Sequence, residues 1–280
     1  MIEDARGCID YEVSGDGPTI VFVPGSCSTG AAWRPVMTAL GIRFRCVTTS
    51  LLGYGRTAER RTPSDPSISH EVDVLETVIH EAGGPVHLVG HSFGGLVAIA
   101  VALRNRVPLA SLAVLEAPAA ELLRDSGERQ QYWAFREMTD DYFAAFANGN
   151  TEAIATMIDF YGGVGCFASW PSRVRAYAVE KTAVNILDWV SAYQFPLSGA
   201  ALRSIDVPVL VLWGEASHPA VQRANALLSK FIIQAVSAEI EGAAHFMIAT
   251  HANQVSRFIA HHIGPHSTKQ TCRSRRVVRI

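Results

Sequence analysis

The chain reads as an α/β protein, with a mostly parallel central sheet flanked by helices and a helical cap inserted between two late strands. Three observations predict this. Short β-rich runs alternate with helically spaced segments up to residue 117, which implies parallel strands covered on both faces by crossover helices. The alternation stops over 118–202, a helix-like, aromatic-rich stretch, and resumes at Val207. A length of 280 residues suits one large core carrying an insertion. Residues 1–117 and 203–264 are therefore assigned to the core domain, 118–202 to a lid, and 265–280 to a basic, disordered tail.

Taken in order, Cys8 to Val13 and Thr19 to Val23 read as strands separated by the turn Ser14-Gly15-Asp16-Gly17-Pro18. Gly30 to Leu40 reads as a helix and Phe44 to Thr49 as a strand. After the glycine-bearing loop Leu52-Gly53-Tyr54-Gly55-Arg56, Ser67 to Ala82 carries Val72, Leu75, Val78 and Ile79 at helical spacing. A strand over Val86 to Val89, a helix over Leu96 to Leu103 and a strand over Leu109 to Leu115 follow. Within the insertion some aromatics pack the helices and others line a cleft against the sheet; the sequence does not sort them. Gly162-Gly163-Val164-Gly165 lacks a leading strand and a following Lys-Ser/Thr, so it reads as a flexible lid turn and not as a phosphate loop. The last elements are a strand over Val207 to Trp213, a helix over Val221 to Ser229, a strand over Ala235 to Ile240 and a closing helix over Met247 to Ile263.

Charge and cysteine usage exclude several classes. The net charge is −2, yet the tail holds Lys269, Arg273, Arg275, Arg276 and Arg279 with no acid, leaving the remainder distinctly acidic. An acidic body argues against nucleic acid as a partner. No apolar run is long enough to span a bilayer, and the charged start Met1-Ile2-Glu3-Asp4-Ala5-Arg6 lacks the apolar core of a secretory signal. Five irregularly spaced cysteines read as reduced thiols, and the expected location is the cytoplasm. A homodimer stays open.

The densest chemical signal is Gly90-His91-Ser92-Phe93-Gly94, placed between a strand and a helix. That context makes a Gly-x-Ser-x-Gly pattern a nucleophile elbow, with the Ser92 hydroxyl exposed at the mouth of a site. The amide of Phe93 then lies at a helix N-terminus, where partial positive charge favours an oxyanion. Neither a His-Glu-x-x-His motif nor a cysteine cluster is present, so no metal and no cofactor is expected.

Together with the loops Val23-Pro24-Gly25-Ser26, Leu52-Gly53-Tyr54-Gly55-Arg56-Thr57, Leu212-Trp213-Gly214 and Gly242-Ala243-Ala244-His245-Phe246, the elbow makes the chain resemble the α/β-hydrolase superfamily up to Ile263. Order and spacing are specific for the fold and much less so for substrate. The chain departs from the pattern twice. Pro24-Gly25 stands where many members carry His-Gly, and Ser217 occupies the usual position of the triad acid.

The resemblance implies His245 as general base, because it follows a late strand and a loop of small residues. His91 is the rival, but neighbours on a tight turn point in different directions. His218, His251, His261 and His262 read as surface or loop residues. Glu116, closing the apolar strand ahead of Ala117-Pro118, is the expected acid: a carboxylate there is costly to bury unless paired, and an imidazole N–H supplies a partner. Glu215 is the competing acid, nearer to the usual position. The oxyanion hole is assigned to the backbone amides of Phe93 and Ser26, with Gly25 allowing close approach.

Ser92, His245 and Glu116 in these roles describe a hydrolase forming an acyl-enzyme. Serine at the elbow argues against haloalkane dehalogenases and epoxide hydrolases, which use a carboxylate there. The aromatic lid favours a hydrophobic ester or lactone. A Glu-x-Pro step and the Gly-Glu-Ala-Ser-His-Pro loop add a local similarity to fungal lactonases that open zearalenone. Carbon–carbon bond hydrolysis, a lyase reaction and a small-molecule receptor with weak hydrolase activity stay open.

Overall fold

Residues 1–264 are described by a computed structural model; the expected basic tail lies outside the described residues. The strands are β1 (Ile2–Asp4), β2 (Gly7–Ile9), β3 (Glu12–Ser14), β4 (Thr19–Val23), β5 (Arg45–Thr48), β6 (Val86–His91), β7 (Leu109–Leu115), β8 (Val209–Gly214) and β9 (Ala235–Ile240). β1 and β2 form a small antiparallel pair. The other seven form one sheet in the order β3-β5-β4-β6-β7-β8-β9. Only β3 at its edge runs antiparallel to its neighbour.

Helices α1 (Arg34–Leu40), α2 (Ser69–Ala82) and α3 (Phe93–Arg104) belong to the first half. Between β7 and β8 lie α4 (Ala120–Asp125), α5 (Arg129–Ala147), α6 (Ile154–Gly162), α7 (Cys166–Ser169), α8 (Ser172–Glu180), α9 (Thr182–Gln194) and α10 (Gly199–Leu202). The chain closes with α11 (Pro219–Phe231), α12 (Met247–Thr250) and α13 (Ala252–Ile263). Val36 and Leu40 of α1 and Val255 and Ile259 of α13 pack one face of the sheet. The opposite face packs against α2, α3 and α11. Burial on both faces explains the unbroken apolar runs of β4 and β8. None of the described helices is long and apolar enough to cross a membrane.

Three readings need correction. The run Cys8 to Val13 is two strands, because the Asp10 amide leaves any ladder and donates to Thr57 Oγ1 at 3.0 Å, while its carboxylate takes Ser50 and Arg56. The closing helix is interrupted at His251, whose backbone (φ −127°, ψ 34°) is not helical. His262 is not at the surface: it is buried on α13 with Nε2 3.1 Å from the Leu112 carbonyl. The turn 162–165 is tied at both ends of its exit, since the Asp159 carboxylate accepts from the amides of Gly165 (3.0 Å) and Phe167 (2.8 Å).

The topology gathers four segments outside the carboxyl ends of the strands, where open α/β sheets place their ligands. They are Gly25-Ser26 after β4, Ser92 after β6, Glu116 after β7 and His245 beyond β9.

Candidate active site

Ser92 sits at the N-cap of α3 with φ 53° and ψ −129°, a strained backbone for a residue with a Cβ. Gly94 permits the turn, because a Cβ there would approach the Pro24 carbonyl to 2.2 Å. The Ser92 amide donates to the Leu115 carbonyl at 2.8 Å, tying the elbow to β7. Among the described residues, the non-glycine positions with positive φ are Cys27, Ser92, Asn105 and Glu116. Asn105 is an ordinary left-handed helix cap. The other three surround one cavity or its acid, and each such conformation costs on the order of 1–3 kcal/mol. Strain is concentrated where the sequence locates the chemistry.

The three side chains singled out there are joined in a line. Ser92 Oγ donates to His245 Nε2 at 2.9 Å, and His245 Nδ1 donates to Glu116 Oε2 at 2.7 Å. Glu116 is fully buried. Its Oε1 accepts from the Gly214 amide at 2.7 Å and from the Ser217 hydroxyl. Ser217 thus stands at the usual position of an acid and donates to the Glu116 carboxylate that follows β7. Glu215 is exposed and accepts from the Gly242 amide at 3.0 Å, bracing the loop that carries His245.

His91 does not bond Ser92. Its Nε2 donates to the His245 carbonyl at 2.8 Å, and the two rings lie 4.7 Å apart. Burial, followed by the neighbouring His245 ring, pulls the His91 pKa down to about 3. A neutral donor fixing the His245 backbone is the result.

Gly25 brings the loop after β4 against the elbow; a Cβ on it would lie 2.8 Å from the Ser92 Cβ. Phe93 opens α3, so its N–H has no acceptor within the helix. Ser26, Cys27 and Phe93 all line a cavity of about 320 Å³. Its remaining wall is largely apolar, with Met157, Ile158, Tyr161, Trp170 and Trp189 from the insertion and Phe246 beside His245. The Tyr161 ring stacks 4.0 Å from His245. Of the other insertion aromatics, Phe135 and Tyr142 are fully buried, whereas Trp133 is half exposed.

Sequence reasoning missed the polar residues of α9. Asp188 is buried, and its Oδ2 accepts from Ser26 Oγ (2.5 Å) and Tyr54 OH (2.7 Å), while its Oδ1 accepts from Arg61 Nη1 (2.7 Å). Burial raises the Asp188 pKa, and the Arg61 guanidinium with the two hydroxyl donors works against that rise. Glu71, which is buried, and Glu59, at the exposed rim, complete the cluster around Arg61. A signal was available: Asn185, Asp188, Trp189 and Ala192 follow helical spacing along one buried stripe, so two polar residues lie on an inward face. Among the described residues, no group of His, Cys, Asp and Glu is arranged to hold a metal ion.

The model of the alpha/beta hydrolase family matches residues 20–258. A cis-3-alkyl-4-alkyloxetan-2-one decarboxylase of Xanthomonas campestris is 25% identical over 147 residues, 48% of this chain and 49% of that one. The chain spans about half or less of the length of the curated relatives it matches. The enol-lactonase of Burkholderia xenovorans superposes with a TM-score of 0.70 at 19% identity, covering 92% of this chain and 96% of that one. An N-acyl homoserine lactone degrading enzyme superposes with a TM-score of 0.71 at 20% identity, covering 92% and 98%. At those identities the superpositions speak for the fold alone.

Proposed function

The chain belongs to the alpha/beta hydrolase family, and on that premise we propose that it is a serine hydrolase cleaving a carboxylic ester or lactone of a hydrophobic small molecule. The observation that carries this reading is the unbroken hydrogen-bond line Ser92–His245–Glu116 at one wall of a largely apolar cavity. Ser92 Oγ attacks the acyl carbon and its proton passes to His245 Nε2. Glu116 holds the imidazole in the tautomer that can accept it and stabilises the charge that forms. The Phe93 and Ser26 amides receive the oxyanion. The carbon–oxygen bond to the leaving alcohol then breaks, and the alkoxide takes the proton from His245. Water, activated by the same imidazole, releases the acid and restores Ser92. With a lactone the released hydroxyl stays tethered to the acyl group throughout, and water releases a single hydroxy acid.

An aromatic, largely apolar wall suits an uncharged substrate, because a charge moved there loses hydration without a partner. Two neighbours of the same fold are named as lactone-cleaving enzymes, so the fold accommodates the lactone arm of the proposal. The test combines an alkyl fluorophosphonate with turnover of p-nitrophenyl butyrate. Labelling of Ser92 with turnover is expected, and Ser92→Ala should lose both. Ester turnover by Ser92→Ala within tenfold of wild type contradicts the proposal. Labelling without turnover instead favours carbon–carbon cleavage, in line with the decarboxylase relative, or a receptor role.

A further inference from the structure

The wall contributed by α9 treats two polar residues one turn apart in opposite ways. Asp188 has three partners, each within 2.7 Å. Asn185 lines the same cavity, is 1% exposed, and its Oδ1 has no hydrogen-bond partner. Its backbone is ordinary, with the amide donating to the Lys181 carbonyl at 2.9 Å. The Tyr161 hydroxyl, on the facing helix α6, is likewise buried without a partner and lines the cavity.

An amide buried without a partner weakens a fold, and an apolar residue of similar size would serve packing better. Leucine nearly matches asparagine in shape, so folding alone gives no reason for Asn185. A ligand does. We propose that Asn185 is a specificity-determining residue that hydrogen-bonds a hydroxyl group on the substrate, so that the preferred ester or lactone is apolar in bulk but hydroxylated. The proposal rests on the hydrolase reading of the same cavity. A hydroxyl is the fitting group because it donates to an amide oxygen and accepts from an amide nitrogen, and so satisfies Asn185 whichever way the amide is turned. Tyr161, whose ring lies 4.0 Å from that of His245, offers a second hydroxyl contact. Sites built to bond a substrate hydroxyl discriminate strongly against the analogue lacking it, because the analogue leaves the buried group unpaired.

The experiment compares p-nitrophenyl phenylacetate with its 3-hydroxyphenyl and 4-hydroxyphenyl counterparts on the full chain. For wild type, kcat/KM should favour one hydroxylated ester by roughly tenfold. In Asn185→Leu that ratio should fall to about one, and the melting temperature should hold or rise, because the amide has no protein partner to lose. No preference for either hydroxylated ester, a preference that survives Asn185→Leu, or a lowered melting temperature in that variant each overturns the proposal. Binding of the same esters to Ser92→Ala and to Ser92→Ala/Asn185→Leu, measured by calorimetry, reads the hydroxyl preference without chemistry. Turnover that does not depend on Ser92 sinks the hydrolase reading, while the calorimetric ratio still decides the role of Asn185.

Discussion

The sheet side of the cavity and the helical side that faces it are built on different rules. On the sheet side, Ser92, His245, Glu116 and His91 are held to one another or to backbone by hydrogen bonds between 2.7 and 2.9 Å. Their positions come from strand ends and strained turns, which a ligand does not need to organise. On the helical side, Tyr161 and Asn185 hold polar atoms with no protein partner, set among Met157, Ile158 and Trp189. One side is complete before substrate arrives and the other is completed by it. Preorganised groups lower barriers, whereas groups left to be satisfied select ligands. Asp188 ties the two sides by a hydrogen bond, reaching from α9 to Ser26 in the loop after β4.

Substitutions on the sheet side should therefore strike the chemical step hardest. Glu116→Gln keeps the shape and removes the charge that supports the imidazolium, so kcat should fall on the order of 10⁴-fold. Glu215→Gln, changed at a carboxylate that braces only the Gly242 amide, should cost less than tenfold. Steady-state kinetics of the two variants side by side, with circular dichroism to check folding, decides which carboxylate belongs to the site. Loss in Glu215→Gln with activity kept in Glu116→Gln would reverse the assignment.

The tie between the sides makes a different demand. Asp188→Asn removes the charge facing Arg61, whose side chain is fully buried, and breaking a buried pair on one partner costs about 3 kcal/mol or more. The denaturant midpoint should drop accordingly. A midpoint at the wild-type value would mean that the cluster behind α9 holds nothing together.

Glu71 gives an effect seen only through pH. Burial is the largest influence on it and lifts its pKa from 4.5 to about 8, with Arg61 opposing. The folded state then keeps a proton that the unfolded chain releases, so this residue's contribution to stability falls as pH rises from about 4.5 to about 8 and levels off beyond. Glu71→Gln should flatten that part of the profile, measured as the wild-type minus variant melting temperature at pH 5 and pH 8. An equal difference at the two values would show that Glu71 is ionised throughout the fold.

Much of this was legible along the chain. β4, β7 and β9 have the boundaries read from their β-rich runs, because turn residues bracket each of them, although β4 and most of β7 are buried on both sides and β9 is only partly covered. Ser92 and Glu116 were legible for a related reason: each breaks a local rule, one as a serine at a glycine-like turn and the other as a lone acid closing an apolar strand. The α9 residues were hidden because their partners are remote. Asp188 lies 162 residues from Ser26 and 127 from Arg61, and no spacing rule joins such positions. His262 was misread although it shares a helical stripe with Val255 and Ile259, a pattern that marks the buried face of α13. Asp10 split an expected strand because its partners, Ser50 and Arg56, come from a later loop.

The central claim, an acyl-enzyme on Ser92, is tested most directly by acid-quenching the reaction with p-nitrophenyl butyrate within the first turnover and weighing the intact protein. The account predicts a butyryl adduct that maps to the peptide containing Ser92, decays with further turnover and is absent from Ser92→Ala. Steady turnover with no adduct under any quench time, or an adduct on a different residue, would contradict it.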